Sequence, residues 1–154
     1  MKILMLHGLE STPGGSKSDH LAAQGHTLLN PELPRDSWER ALEIARDAFA
    51  REQPDVVVGA SRGGALAANL VVGTTPLVLI APAWRRFGSA RTVKPGTWIL
   101  HSPHDDVVLI ADSHELLRQS GLPPSALVSV GADHRMKDPA ALAALARAVS
   151  APHR

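Results

Sequence analysis

Apolar runs of four to six residues alternate with amphipathic stretches along almost the whole chain. The first run lacks a regular polar alternation and ends in a glycine turn, which is typical of a strand buried on both faces of a parallel sheet. The succession of strand-like and helix-like segments predicts an α/β fold, with about six mostly parallel strands and helices on both faces. The predicted strands lie in KILMLHG, HTLLNPEL, DVVVGAS, PLVLIAPAW, TWILHSPHDD and ALVSVGADH.

The amphipathic stretches between these runs predict the helices. In WERALEIARDAFAREQ, Leu42, Ala45 and Phe49 recur at helical spacing with charges on the opposite side. Asp36 or Ser37 can cap this helix. The segment WRRFGSARTVKPG is too short and too broken by glycine for a full helix, so this crossover is expected to be a loop. Further helices are predicted over residues 16–24, in GGALAANLVV, in LIADSHELLRQSG and in the closing segment begun by Asp138 and Pro139.

Composition narrows the class of protein. A chain of 154 residues predicts a single domain over residues 1–154. Its 16 Lys and Arg against 15 Asp and Glu leave no basic field for nucleic acid. The absence of cysteine excludes disulfides and a cysteine nucleophile. No apolar run approaches the ~20 residues of a membrane span. We expect a cytoplasmic protein without nucleic-acid or membrane partners; its oligomeric state is left open.

The central motif is VVVGASRGG. Its residues Gly59-Ala60-Ser61-Arg62-Gly63 fit G-x-S-x-G between a β-branched run and an alanine-rich segment. In a nucleophile elbow a strand turns so sharply into a helix that small residues are needed two positions before and after the serine. Gly59 and Gly63 meet this need, so the motif predicts Ser61 as a nucleophile.

A serine hydroxyl needs a base to take its proton and a carboxylate to orient that base. The chain order for this kind of sheet is serine, acid, histidine. Asp105 follows the strand TWILHS, and His134 follows ALVSVG. Asp106 competes with Asp105, but it can cap the next helix, so Asp105 is preferred as the acid.

The stretch LHGLESTPGGSKS resembles a phosphate-binding loop, but its glycines and lysine do not have the spacing of that motif. Acyl transfer instead requires backbone N–H groups for the negative charge on the carbonyl oxygen. The positions after the first strand and after the nucleophile predict Leu9 and Arg62 as these donors. Gly8 allows the tight turn, while Glu10 either orients the loop or repels carboxylates.

Taken together, LHGLESTP, GASRGG, HSPHDDVV and GADHR make the chain resemble the α/β-hydrolase superfamily, and within it the small bacterial YqiA-like esterases. The resemblance implies a minimal fold without a lid, in which LHGLESTP lies beside VVVGASRGG. It implies Ser61 as nucleophile, Asp105 as acid, His134 as base, and Leu9 and Arg62 as oxyanion donors. The implied activity is cleavage of a small-molecule ester or thioester with a small acyl group, without a cofactor.

Two alternatives compete with this interpretation. The cluster His101, His104, Asp105 and Asp106 offers residue types that bind metal ions, although adjacent residues rarely converge on one ion. A metal-dependent hydrolase is therefore disfavoured, and no metal is expected. The second alternative is a binding or regulatory protein that keeps the fold without turnover.

Three side chains near the predicted site have open roles. Trp84 and Phe87 leave a strand end, so they either line the substrate pocket or cover the sheet edge. The side chain of Arg62 either attracts an anionic substrate or is solvated.

Overall fold

Six parallel strands form one sheet in the order β2-β1-β3-β4-β5-β6. The computed structural model describes residues 1–151. Every pairing between neighbouring strands is parallel, which confirms the α/β prediction. Leu6 of β1 pairs with Gly59 of β3, so the first loop lies beside the G-x-S-x-G motif as expected. The strands are β1 (Lys2–Leu6), β2 (Thr27–Leu29), β3 (Val56–Ala60), β4 (Leu77–Ile80), β5 (Trp98–His101) and β6 (Leu127–Ser129).

Helices cover both faces of the sheet. Within the described residues they are α1 (Ser16–Ala23), α2 (Trp38–Glu52), α3 (Arg62–Ala68), α4 (Ile110–Gln119), α5 (Pro139–Ser150) and a 3₁₀ turn at Pro124–Ala126. Side chains alternate along β1: Leu4 and Leu6 pack with α2, α3 and α4, whereas Ile3 and Met5 pack with α1 and α5. None of these helices is long and apolar enough to cross a bilayer.

Helix α2 begins where the sequence predicts, and its apolar side packs on the core. The Ser37 side chain accepts a hydrogen bond from the Arg40 N–H and caps the helix. Its buried positions are Ala41, Ala45 and Ala48, whereas Leu42 and Phe49 are only partly buried. Leu42, Ala45 and Phe49 therefore lie on the side that packs on the core, as predicted, and the three alanines are its most deeply buried positions.

Helix α3 is shorter than GGALAANLVV and ends at Ala68. Asn69 ends it, because its amide donates back to the Ala65 carbonyl at 2.8 Å while its Oδ1 accepts from Ser89 and Ala90. The same Asn69 thereby fixes the crossover between β4 and β5. This crossover contains no helix, as predicted, and its backbone also donates from Val93 to the Ser120 hydroxyl at the end of α4.

The turn from β3 into α3 has no room for side chains. A Cβ on Gly59 would lie 2.3 Å from the Gly63 carbonyl oxygen, and one on Gly63 would lie 2.0 Å from the Leu6 oxygen. A Cβ on Gly64 would lie 2.9 Å from Pro82. The backbones of β1, β3 and α3 can approach each other this closely only because the residues around Ser61 are glycines.

We predict that Gly63→Ala lowers the free energy of unfolding by about 3 kcal/mol or more, because the new methyl group meets immovable backbone. Gly25→Ala is the control: Gly25 has a positive φ, unlike Gly63, but nothing lies within 4 Å of its Cβ position. Its cost should be the strain alone, about 1–2 kcal/mol. Urea unfolding followed by circular dichroism measures both, and equal losses would contradict the close approach.

Candidate active site

Ser61 lies at the carboxyl end of β3 in a strained backbone conformation. Its φ of 55° and ψ of −116° are unusual for a residue other than glycine. The strain is held by hydrogen bonds on both sides, because the Ser61 N–H donates to Ile80 O at 2.9 Å and its carbonyl accepts from Ala83 N at 3.0 Å. The backbone on both sides of Ser61 is therefore fixed.

The structure brings Ser61, His134 and Asp105 together from three separate loops. His134 Nε2 lies 3.1 Å from Ser61 Oγ, and His134 Nδ1 lies 2.6 Å from Asp105 Oδ2. Because Nδ1 faces a carboxylate, it carries the ring proton and donates it, which leaves Nε2 as an acceptor for the serine hydroxyl. The His134 side chain is 20% exposed and that of Asp105 is fully buried, so only the serine end of the chain of hydrogen bonds is open to a ligand.

The carboxylate of Asp105 is held by its own loop. Its Oδ1 accepts from the N–H groups of Val107 and Val108, both at 2.8 Å. Its Oδ2 accepts from His134 and lies 3.1 Å from His101 Nε2. With both oxygens occupied, the side chain has one orientation, the one that points at His134.

His101 is fully buried behind Asp105, and hydrophobic pattern and motifs did not predict this second contact. Its Nε2 lies against Val108 O at 2.7 Å as well as the carboxylate, so Nε2 carries the proton. Its Nδ1 then accepts from the Ser113 hydroxyl at 2.7 Å. Burial lowers the pKa of His101 and keeps the ring neutral. His101 therefore acts as a neutral donor that supports Asp105.

The predicted reason for preferring Asp105 over Asp106 was wrong. Helix α4 begins after Leu109 with no side-chain cap, so Asp106 does not cap it. Asp106 is exposed at the cavity, while Asp105 turns inward to the N–H groups of its own loop.

The structure does not favour the metal-dependent alternative. Within residues 1–151, no three His, Cys, Asp or Glu side chains lie together so that they could bind one metal ion.

The loop after β1 presents a free N–H group beside Ser61. The Gly8 carbonyl accepts from the His7 ring at 2.9 Å and from Ser11 N at 3.2 Å. In a trans peptide the N–H points opposite to the carbonyl, so these bonds fix the direction of the Leu9 N–H. Gly8 itself contacts Ser61, because a Cβ there would lie 3.3 Å from the serine Cβ.

The second free N–H group belongs to Arg62, the first residue of α3. In the part of the chain that the structure describes, neither this N–H nor that of Leu9 donates to a protein acceptor. Both adjoin Ser61, Leu9 across the cavity that the two residues line and Arg62 as the next residue in sequence. The structure thus leaves two backbone N–H groups beside Ser61 without a protein acceptor.

Two contacts anchor this first loop. His7 is buried, and its Nε2 accepts from the Leu33 N–H at 3.1 Å, so its Nδ1 is the donor to Gly8. Glu10 forms an ion pair with Arg35 at 2.9 Å. Of the two roles considered for Glu10, its contacts favour orienting the loop.

The Arg62 side chain takes neither of its expected roles. It is 1% exposed and points away from the cavity, with Nη2 3.4 Å from the Leu33 carbonyl oxygen. Its Nε has no hydrogen-bond partner among the described residues. Burial, and secondly the charge of Arg35, lowers the pKa of this guanidinium. The side chain of Arg62 therefore does not line the cavity, and only its backbone adjoins Ser61.

A cavity of about 680 Å³ opens over Ser61 and His134. Gly8, Glu10 and Phe87 line it, as expected. Phe87 is stacked on Trp38 with ring centroids 5.8 Å apart. Trp84 is not part of the lining: it is 1% exposed, lies in the core, and donates from Nε1 to the Asp112 carbonyl. Of the two roles considered for Trp84, lining the substrate pocket is wrong, because its ring is buried in the core.

Solved structures with the same architecture identify the fold. A protein from Xanthomonas campestris pv. campestris assigned to the hydrolases of the α/β superfamily is 27% identical, with a TM-score of 0.71 over 97% of this chain and 95% of that one. Alpha/beta hydrolase domain-containing protein 10 from mouse is 14% identical, with a TM-score of 0.74 over 97% and 88%. An esterase domain from Rhodothermus marinus is 18% identical, with a TM-score of 0.63 over 96% and 82%.

No protein-family model and no curated protein sequence matches the chain. The parallel sheet, the turn at Ser61 and these structural similarities define the class of α/β hydrolases. The chain belongs to the α/β-hydrolase superfamily, in a short form that has no lid domain within residues 1–151.

We predict that Asp105→Asn slows the reaction of Ser61 with a fluorophosphonate by about 10³-fold or more, because an amide in place of the carboxylate favours the wrong His134 tautomer. Asp106→Asn is the matched control and should retain most of the rate. Mass spectrometry against time measures both rates, and circular dichroism checks that both variants fold. A fast Asp105→Asn together with a slow Asp106→Asn would assign the acid to Asp106.

Proposed function

We propose that the chain is a serine hydrolase that cleaves an ester or thioester with a small acyl group. The observation that carries this proposal is the continuous set of hydrogen bonds from Ser61 Oγ through His134 to Asp105, at 3.1 and 2.6 Å. These distances are within the reach that a nucleophile and its base require. The likeness to a structure described as an esterase domain supports the same choice of reaction.

In the first half of the reaction Ser61 Oγ bonds to the substrate carbonyl carbon while its proton passes to His134 Nε2. The carbonyl π electrons move to the oxygen, and the free N–H groups of Leu9 and Arg62 stabilise that charge. Asp105 holds the Nδ1 proton of His134 and offsets the charge of the imidazolium. Collapse of the intermediate breaks the bond to the leaving group, which takes the proton from Nε2.

The second half repeats these steps with water. His134 takes a proton from the water as its oxygen attacks the acyl-enzyme, and returns that proton to Ser61 Oγ when the acid leaves. Every proton and electron pair in this cycle moves between the substrate, water and side chains of the chain itself. We therefore propose no cofactor.

Apolar side chains on one side of the cavity support a small acyl group as part of the substrate. Ile80, Phe87 and Val107 line this side, and the stacking of Phe87 on Trp38 restricts its movement. The cavity of about 680 Å³ lies open, with no lid among the described residues to cover a long chain. A short acyl group can therefore be desolvated here more completely than a long one.

The proposed activity is tested with p-nitrophenyl acetate, butyrate and palmitate. We expect turnover with a burst of nitrophenol, a higher kcat/KM for the two short esters, and a loss of about 10³-fold or more in Ser61→Ala. Ser11→Ala is the matched control, because Ser11 lines the same cavity outside the hydrogen-bonded set. Absence of turnover in the wild type would favour a binding or regulatory protein, and full activity in Ser61→Ala would refute the assigned nucleophile.

His7 should affect the rate through the direction of the Leu9 N–H. We expect His7→Leu to lower kcat by about 10- to 100-fold with little change in KM, because the interaction with the oxyanion is made only in the transition state. His7→Gln can still donate to Gly8 and accept from Leu33, so it should retain more of kcat. Equal losses in kcat, or a loss confined to KM, would show that His7 does not act through this donor.

A further inference from the structure

The two sides of the cavity differ in charge. The first loop meets the loop that follows β6, because Lys17 donates to the Arg135 carbonyl. Three cationic residues line the cavity around this contact, and we call them the cationic arm: Lys17, Arg135 and Lys137. On the loops that follow β4 and β5, Arg86 and Asp106 carry opposite charges.

Lys17 joins the first loop to the loop of the base. It lies at the start of α1, and its Nζ donates to the carbonyl oxygen of Arg135 at 2.7 Å. Arg135 directly follows His134 in sequence. The ammonium group of Lys17 therefore lies close to the segment that carries the base, within the lining of the same cavity.

The cationic arm lacks carboxylate partners. Among the described residues, none of its three members forms a salt bridge. Two acidic residues line the cavity beside this arm, but Glu10 is paired with Arg35, and Asp133 accepts from the backbone N–H of Arg135 at 3.0 Å. The part of the cavity lined by the cationic arm therefore carries an excess of positive charge.

The environment of Lys17 disfavours the charged form of its side chain in the free protein. Burial, and secondly the charge of Lys137, lowers the pKa of Lys17 to about 8, with only a partial offset from Asp133. A bound anion would supply the missing partner and would replace the lost hydration of the ammonium group.

From this arrangement we propose that the cavity binds esters that carry an anionic group, a carboxylate or a phosphate, against Lys17, Arg135 and Lys137. The apolar part of such an ester lies on Ile80, Phe87 and Val107, and its ester carbon lies over Ser61 between the two sides. This inference rests on the proposed ester hydrolysis and specifies its substrate class.

The test compares anionic esters with neutral partners of similar size. The first comparison places the charge on the acyl group and uses p-nitrophenyl hemisuccinate against p-nitrophenyl butyrate. The second comparison places the charge on the leaving group and uses 4-acetoxybenzoate and 4-acetoxyphenyl phosphate against methyl 4-acetoxybenzoate. The measured quantity is the ratio of kcat/KM for the anionic ester to that for its neutral partner, which we call the selectivity.

We expect Lys17→Met to lower the selectivity by about tenfold in at least one of the two substrate comparisons, because one charge-assisted contact is lost. Lys94→Met is the matched control. Lys94 also donates to backbone carbonyls and its pKa is also lowered by burial, but it lies outside this cavity. It should leave the selectivity unchanged.

The pH dependence of the selectivity shows whether it comes from the charge of Lys17 or from the shape of its side chain. Lys17 is protonated below pH 8 and loses its charge above it, so the wild-type selectivity should fall as the pH rises through about 8. Arg135 and Lys137 also line this part of the cavity and should preserve a remainder of the selectivity, and Asp133 is the acidic residue beside them. Lys17→Arg should keep the full selectivity above pH 8, because a guanidinium stays protonated there.

The outcomes distinguish this inference from the proposed function. Hydrolysis of the neutral esters with the same selectivity in wild type and Lys17→Met would overturn the anion site and leave the esterase activity standing. Selectivity that is unchanged between pH 7 and pH 10 would also overturn it. No turnover of any ester would refute the proposed function, and the substrate class would fall with it.

Discussion

The contact between the backbones of β1, β3 and α3 is the constraint on which the candidate site depends. Gly63 lies so close to Leu6 that a single methyl group would overlap its carbonyl oxygen. This closeness makes the turn at Ser61 sharp. It also places Arg62 at the start of α3, where its N–H has no acceptor within the helix. It also puts Gly8 against Ser61, so the nucleophile and the predicted oxyanion donors follow from one packing arrangement.

Hydrogen bonds within the loops and to buried histidines hold the other groups of the site in place. Asp105 is held by N–H groups of its own loop and by the neutral, buried His101. His7 likewise fixes the peptide between Gly8 and Leu9. In both places a buried imidazole holds a neighbouring group in one orientation, the carboxylate in one loop and the peptide in the other. The cationic side chains proposed to select an anionic substrate, Lys17, Arg135 and Lys137, line the cavity itself.

Sequence reasoning predicted the order of elements and the residues at the strand ends, because apolar period and glycine position determine both. It did not predict the contacts of His101, Trp84 and the Arg62 side chain. These contacts depend on the conformations of the loops over the sheet, and the hydrophobic pattern of a sequence does not determine loop conformations. It also chose Asp105 over Asp106 from a helix cap that does not exist, since local backbone geometry turns Asp105 inward.

The central claim is that Ser61 is activated by His134, and intact-protein mass spectrometry after exposure to a fluorophosphonate tests it most directly. Wild type should gain one adduct, located on Ser61 by peptide mapping, while Ser61→Ala and His134→Ala should gain none in the same time. An unlabelled wild type, or an adduct that persists in Ser61→Ala, would contradict the account.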